Sequence, residues 1–247
     1  MFKHMNIYNI KAKRELMHWQ MSMQKKPSYF NRLSKRVQTK INSIIPEKVH
    51  SAITATIKQM IKGVLFGAGM ATAKPQEIKS LELTEAVMLE SIDTYKKTAA
   101  AEGGITGAGG ILMSFADFPL LIGIKIKMLF DIASRYGYDV SDYKERIFLL
   151  HIFQLAFSSH EHRKNVYLQM TDWKKTKVEL LPDDINQFEW RSFQQEYRDY
   201  IDLAKLAQMI PIIGAAVGLV VNYRLIQKLA TTAMNAYRMR LVEEDRL

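Results

Sequence analysis

The side chains of this chain that could do chemistry are few, and cysteine is not among them. Its absence excludes disulfides, thiolate zinc sites, iron–sulfur clusters and a cysteine nucleophile. Four polar residues beside apolar stretches are candidates for an active site, because a buried polar group must find a partner or face a cavity. These four are Asp117, Arg146, His151 and Asn222. Asp117 also fits a helix cap, and His151 a hydrogen-bonded core histidine.

Two histidines are candidates for metal binding. His160 and His162 occur in the run SSHEHR, with one residue between them. Side chains at that spacing point to different sides of a helix, so a shared metal would need a loop or a further ligand. The pattern favours a loop at a helix end, and we expect neither a metal nor another cofactor.

A glycine-rich run is the next candidate for ligand binding. GGITGAGG, residues 103–110, contains five glycines, including Gly103, Gly104, Gly107 and Gly110. A phosphate-binding loop would need Lys and then Ser or Thr after its last glycine, but Ile111 follows, and no strand precedes the run. The run therefore favours close helix packing over nucleotide binding. The pairs Gly63/Gly67 and Gly214/Gly218 fit the same use, although such segments also suit contact with a bilayer or an apolar ligand cavity.

The positive charge is concentrated near the N-terminus. The chain carries 35 Lys and Arg against 25 Asp and Glu, a net charge of +10. Residues 1–62 hold 13 of these bases and only 2 acids, so the rest of the chain is almost neutral. A basic segment on a neutral body indicates an anionic partner such as lipid, nucleic acid or an acidic protein, or else a solvated face.

The elements that carry these bases are amphipathic helices. Apolar residues recur every three or four positions from Met5 to Met23 and again from Phe30 to Ile44, with bases between them. We therefore predict a basic helical arm over 1–45 and a helical domain over 46–247. The candidates for membrane or anion binding on the arm are Lys11, Lys13, Arg14, Trp19, Lys35, Arg36 and Lys40.

The rest of the chain also has helical periodicity. We expect Pro75 to open a helix that Gly103 and Gly104 end. Asp117 should cap the next helix, which Gly137 stops, and Asp142 and Glu145 fit a capping box for an apolar helix over 147–157. The last helix follows Pro211 and runs to Arg240. The sum is an all-α bundle of about eight helices, and the uncharged run 206–223, interrupted by Pro211, is predicted not to cross a membrane.

Two segments resemble a known family. Residues 103–139, GGITGAGGILMSFADFPLLIGIKIKMLFDIASRYGYD, followed by Glu145 and Arg146, and residues 210–240, IPIIGAAVGLVVNYRLIQKLATTAMNAYRMR, are similar to the bacterial EcsC protein family. The matching positions are Gly103, Gly104, Gly107, Gly110, Asp117, Pro119, Tyr136, Gly137, Glu145, Arg146, Pro211, Gly214, Asn222, Tyr237 and Arg238. The resemblance implies an accessory protein on the cytoplasmic side of a bacterial membrane, in the context of an ABC transporter, and supplies no reaction.

Five polar residues in the two segments have no sufficient local explanation. They are candidates for a polar network or a ligand site: Lys125, Arg146, Asn222, Tyr237 and Arg238.

The functional hypothesis that follows is a non-enzymatic protein that binds peripherally to the inner face of the membrane through its basic arm. No secretory signal is visible, so we expect the protein to stay in the cytoplasm. Two alternatives remain open. One is a hydrolase-like enzyme with a pocket between the helices after Pro119 and Pro211; the other is nucleic-acid binding by the arm, which the absence of a known motif disfavours. The residues do not indicate an oligomeric state.

Overall fold

The computed structural model describes residues 6–25, 47–66, 74–108, 118–158, 162–184, 187 and 215–247. This part of the chain is helical and contains no β-strand, which confirms the all-α prediction. Its seven α-helices are α1 (Ile7–Gln24), α2 (Glu47–Phe66), α3 (Leu81–Ala108), α4 (Phe118–Arg135), α5 (Tyr143–Phe157), α6 (Arg163–Met170) and α7 (Ala215–Glu243). A short π-helix, Lys174–Val178, follows α6.

The two longest helices form the centre of the bundle. α3 and α7 run antiparallel, because Glu85 meets Arg238 near one end while the amine of Lys96 donates to Gln227, 2.9 Å away, further along. α5 packs against α7 and has 13 of its 15 residues buried, as its apolar sequence predicts. α4 contacts α3 and α7, and α2 covers α4 and α5.

α1 packs on the body of the protein. Ala12 and Leu16, on the predicted apolar stripe, are buried, and Tyr8 and Trp19 are partly buried against the same core. α1 contacts α3, α6 and α7. The predicted apolar stripe of α1 therefore faces the body of the protein.

The limits of α3 differ from the prediction. α3 begins at Leu81, where the Ser80 hydroxyl accepts from the backbone N–H of Leu83, and it continues through Gly103 and Gly104 to Ala108. Pro75 precedes it in a segment whose Gln76 N–H donates to the carbonyl of Ser134, 2.8 Å away. Two glycines cost only about 1 kcal/mol each in a helix interior, so a long helix packed along α7 can include them.

Two helix ends agree with their sequence signals. Gly137 adopts a φ of +84°, and the N–H groups of Gly137 and Tyr138 donate to the carbonyls of Ser134 and Ala133 in a Schellman motif. The Asp142 carboxylate caps α5 by accepting from the N–H of Lys144, 2.9 Å away. Asp117, the predicted cap of α4, lies outside the described residues, as do Gly110, Pro211 and Gly214.

Candidate functional site

A fully buried carboxylate lies where α1, α3, α4 and α7 meet. Glu85, in the first turns of α3, is 0% exposed. Arg238 of α7 holds it with two parallel bonds, from Nε at 2.8 Å and from Nη2 at 2.5 Å. The hydroxyls of Tyr8 and Tyr136 donate to it from 2.6 and 2.7 Å. This bidentate arrangement fixes both the charge and the orientation of the pair.

A second buried carboxylate lies between α5 and α7. Glu145 of α5 accepts from Nη1 of Arg240 and from the hydroxyl of Tyr237, both at 2.6 Å. The Arg240 guanidinium also stacks 3.8 Å above the ring centroid of Tyr138. Glu145 therefore does not complete a capping box, and that prediction is wrong. The carboxylate pairs across the bundle with α7 instead of turning back to its own helix.

Stacked tyrosine rings join the two pairs into one network. The Tyr136 and Tyr237 ring centroids are 5.4 Å apart, and those of Tyr138 and Tyr237 are 5.0 Å apart. Since Tyr136 binds Glu85 and Tyr237 binds Glu145, the stack connects the carboxylates through their own donors. We call this set the tyrosine network: Tyr8, Glu85, Tyr136, Tyr138, Glu145, Tyr237, Arg238 and Arg240.

The two carboxylates differ in their electrostatics. Burial alone would raise the pKa of Glu85, but the hydrogen bonds and charge of Arg238 outweigh it and lower that pKa below its ordinary value. For Glu145 the balance is the opposite. Burial outweighs the effects of Arg240 and the Tyr237 hydroxyl, and it raises the pKa of Glu145 above its ordinary value. In each case one arginine stabilises the ionised form of the carboxylate.

The network is suited to positioning helices. Each oxygen of both carboxylates accepts at least one hydrogen bond, and each arginine is paired with a carboxylate, so the network fixes the positions of the helices that carry it. It approaches solvent where Nη1 of Arg238 meets the half-exposed Glu15 of α1 at 2.9 Å. A polar cleft of about 210 Å³ adjoins that contact between α1, α3 and α7.

The structure brings together part of the predicted set. Tyr136, Glu145, Tyr237 and Arg238 belong to the network, and Gly137 follows Tyr136 in the turn after α4. The sequence analysis did not identify Glu85 or Arg240. Glu85 had a detectable signal, because it lies on the apolar stripe of Leu81, Met88 and Ile92, where an acid needs a buried partner.

Three of the four candidates for an enzyme site are described, and Asp117 lies outside the described residues. His151 is buried, with its Nδ1 3.1 Å from Oε1 of Gln154 and its ring edge against Trp173, which fits a core histidine. Arg146 donates to the carbonyls of Leu65 and Ser141, at 2.5 and 2.9 Å. Neither residue lines the cleft between α1, α3 and α7.

Two buried polar groups lie outside the network. Lys125 of α4 is 0% exposed, and its amine donates to the carbonyl of Leu121, 3.2 Å away. Burial lowers the pKa of Lys125 to about 7, so the amine is largely uncharged above neutrality. Asn222 of α7 is also 0% exposed, and neither atom of its amide group has a hydrogen-bond partner in the described structure.

The histidine pair falls partly outside the described residues. His160 is not described, and His162 is the half-buried residue before α6. In the part of the chain that is described, no group of three His, Asp or Glu residues is placed to hold a metal ion.

Other predicted positions have only a backbone description or none. Gly103, Gly104 and Gly107 lie in α3, Pro119 in α4 and Gly218 in α7. The antiparallel pairing of α3 and α7 matches Glu85 with Arg238 and Lys96 with Gln227. Continued along both helices, it places these α3 glycines level with the first turns of α7, where Gly218 lies. On the predicted arm, Lys35, Arg36 and Lys40 are outside the described residues.

The described part of the arm presents a mixed surface to solvent. Ile7, Ile10, Met17 and Met21 are 84%, 46%, 50% and 48% exposed. They follow helical spacing on the side opposite the buried Leu16, with the exposed Arg14 between them. We call this face the outer stripe of α1: Ile7, Ile10, Arg14, Met17 and Met21. Lys11, whose amine lies 3.9 Å from Glu15, and the partly exposed Lys13 flank it.

These observations define the class of protein: an all-α bundle in which α3 and α5 are each joined to α7 by a buried Glu–Arg pair. Among the described residues, no helix combines the length and the apolar character needed to cross a bilayer. The profile of the EcsC protein family matches residues 10–242. The chain belongs to that family.

Two relatives from Bacillus subtilis (strain 168) cover nearly all of the chain. It is 47% identical to "Protein EcsC" over 232 residues, which are 93% of this chain and 94% of that protein. It is 24% identical to "Uncharacterized protein YdbA" over 253 residues, covering 94% of this chain and 92% of that protein. No solved structure matches the chain. The resemblance seen in the sequence is thereby confirmed for nearly its whole length.

Proposed function

We propose that this protein is a non-enzymatic accessory protein that binds the cytoplasmic face of a bacterial membrane through the outer stripe of α1. The observation that carries the proposal is the exposure of four large apolar side chains in one row on a helix whose other side is docked to the core. Exposed apolar rows of this kind are typical of surfaces that contact lipid or protein.

The charge around the stripe favours an anionic bilayer as its partner. Arg14 lies within the row, and Lys11 and Lys13 flank it. Each basic residue close to an anionic surface contributes about 1 kcal/mol to binding, and apolar side chains that enter the interface add to this. Contact with the membrane would also place the protein beside an integral membrane partner, such as the ABC transporter that the family resemblance implies.

Co-sedimentation with vesicles tests the proposal. The full-length protein should bind vesicles of phosphatidylglycerol and phosphatidylcholine, bind pure phosphatidylcholine weakly, and dissociate as salt screens the charges. Met17→Glu should weaken binding because it places an acid in the row. Its matched control is Leu168→Glu on α6, where the leucine is also 50% exposed.

Two charge-reversal variants distinguish a specific contact of α1 with the membrane from an effect of the protein's net charge. Arg14→Glu should weaken binding more than Lys79→Glu, which makes the same change in charge at an exposed position outside α1. Equal effects of the two variants, or no vesicle binding by the wild type, would contradict the proposal. Binding to duplex DNA in place of vesicles, with the same salt sensitivity, would instead support the nucleic-acid alternative.

A further inference from the structure

Two buried polar side chains inside the bundle lack the partners that burial requires. The amine of Lys125 is 0% exposed, and its one hydrogen bond goes to the carbonyl of Leu121, 3.2 Å away. The amide group of Asn222 is equally buried, and neither its oxygen nor its nitrogen has a partner. A buried polar group without partners is costly, so such groups usually meet an ion or a water molecule.

The pairing of the helices brings these two side chains to one level. α4 runs antiparallel to α3, as α7 does. Tyr95 of α3 bonds to Asp131 of α4, and the next residue, Lys96, bonds to Gln227 of α7. Continued along the helices, both pairings arrive at Ala101 of α3, which lies level with the lysine on one side and the asparagine on the other.

Both side chains also face the interior. Lys125 lies three turns before Tyr136 on the same face of α4, and the ring of Tyr136 stacks on Tyr237 of α7. Asn222 lies on the same face of α7 as the fully buried Leu229, two turns later. The amine and the amide group therefore face the same part of the bundle, although they do not bond to each other.

The third helix at this level has short side chains on its buried face. Ala99 and Ala100 are buried, and Gly103 follows one turn later in α3. α3 therefore brings no bulky side chain to the interior beside the amine and the amide group.

No described acid compensates the charge that Lys125 carries when it is protonated. Burial is the only cause that lowers its pKa, to about 7, and no charged group of the described residues acts on it. The charged residues closest in sequence to this level on α3, α4 and α7, and the described lysines of α2, all reach solvent. They are the half-buried Glu102 and the exposed Lys127, Arg224, Lys58 and Lys62.

We infer that Lys125 and Asn222 form a buried binding site for one small monovalent anion, such as chloride. The protonated amine and the N–H groups of the amide would donate to the anion, and its charge would neutralise that of the amine. The inference goes beyond the proposed function and does not depend on membrane binding, because both residues lie in the interior, away from the outer stripe of α1.

An NMR titration of the full-length protein with ¹³C-labelled lysine tests the inference. The pKa of the Lys125 amine is measured in sodium chloride and in sodium gluconate, each at about 100 mM, so that both salts screen charges equally. Gluconate is too large for a site buried between helices. Chloride should raise this pKa by at least about 0.5 relative to gluconate, because a bound anion stabilises the ammonium form. Equal pKa values in the two salts would overturn the inference.

Asn222→Leu tests the contribution of the amide group. It removes the amide donors and keeps a side chain of similar size, so the effect of chloride on Lys125 should fall by about half or more. Glu102→Gln is the matched control, since it removes the acid closest in sequence to this level and should leave the effect unchanged. A full effect in the folded Asn222→Leu variant, or a loss of the effect in Glu102→Gln, would overturn the inference.

Urea denaturation gives a second readout that does not need the asparagine variant. At about pH 6, where the amine of Lys125 is protonated, the wild type should unfold at a higher urea concentration in chloride than in gluconate. At about pH 9 the amine is uncharged, so this difference should shrink. Lys125→Met should show the same small difference at both pH values. A difference in the wild type at pH 6 no larger than in Lys125→Met would overturn the inference.

Discussion

The pair of Glu85 and Arg238 shows how one residue can stabilise the fold strongly or destabilise it. Together the two charges are neutral and hydrogen-bonded, so burial of the pair is tolerated. Separately, Glu85 would be an anion at 0% exposure with only two tyrosine hydroxyls as donors. The stability of the network therefore depends on keeping both partners.

Arg238→Ala is accordingly expected to lower the free energy of unfolding by about 3–5 kcal/mol, because it leaves a buried charge uncompensated. Chemical denaturation at neutral pH measures this. Lys97→Ala, which removes an exposed ion pair with Asp93, should give an unchanged midpoint. A loss in Arg238→Ala no greater than in Lys97→Ala would mean that the buried pair is not important for stability.

The lowered pKa of Glu85 determines how this residue changes the stability of the protein with pH. A carboxyl whose folded pKa is depressed adds stability above its unfolded pKa, about 4.3 for glutamate, and loses it as the pH falls through the lower folded value. Glu145, with a raised pKa, acts in the opposite sense. The two pairs therefore respond differently to acid although their contacts are alike.

Lys125 leads to a prediction in the alkaline range. Its folded pKa of about 7 lies below the ordinary lysine value of about 10.4, so between these values the unfolded chain binds more protons than the folded protein. The free energy of unfolding should therefore rise from pH 7 to 9.5, by roughly 3 kcal/mol from this residue. Denaturation across that range should show the rise in the wild type and a much flatter profile in Lys125→Met.

The exposed Lys127, two residues away, provides the comparison. Lys127→Met should keep the wild-type pH profile, because that amine already lies in solvent beside Asp131. Parallel profiles for the wild type and Lys125→Met would show that the amine of Lys125 is protonated in the folded protein. Such a result would also require an acceptor for it beyond the carbonyl of Leu121.

At the scale of elements, two glycines, one inside α4 and one just after it, have opposite requirements. Gly137, after its C-terminus, has a φ of +84°, and a Cβ there would lie 2.9 Å from the carbonyl oxygen of Gln76. Gly123, inside the helix, would place a Cβ with no atom within 4 Å. The first position therefore needs glycine, and the second does not.

Thermal and chemical unfolding of the two alanine variants should move in opposite directions. Gly137→Ala should destabilise the protein by about 1–3 kcal/mol through backbone strain and the clash with Gln76. Gly123→Ala should stabilise it by about 0.5–1 kcal/mol, because alanine favours a helix interior. A neutral Gly137→Ala would indicate that the turn after α4 relaxes at little cost.

The same elements show what local sequence can predict. Gly137 and Asp142 were identified correctly because a left-handed stop and an N-cap depend on residues within one turn. Glu145 was misassigned because a capping box and a buried pair with Arg240 can use the same residue, and only the position of α7 decides between them. The start of α3 was misplaced because Ser80, not Pro75, caps it, and the segment between them is held by Ser134 of α4.

At the scale of the whole molecule, α1 links the basic segment to the core. It supplies Tyr8 to Glu85 and Glu15 to Arg238, and its Trp19 lines a groove of about 390 Å³ beside α5, α6 and α7. The periodicity of α1 predicted its apolar stripe, but a stripe alone does not reveal which surface covers it. The division of the chain at residue 45 stays a prediction, and the contacts of α1 give it a direct test.

If α1 folds as part of the bundle, Leu16→Ala should lower the stability of the entire protein. Leu16 is 4% exposed, and truncating a buried leucine costs about 2–5 kcal/mol. Met17→Ala, one residue further on the outer stripe, should change stability by less than about 0.5 kcal/mol. Hydrogen exchange should then protect the amides of α1 nearly as well as those of α7, and Leu16→Ala should lower protection in both helices. A loss confined to α1 would show instead that this helix opens independently of the bundle, as a separate arm would.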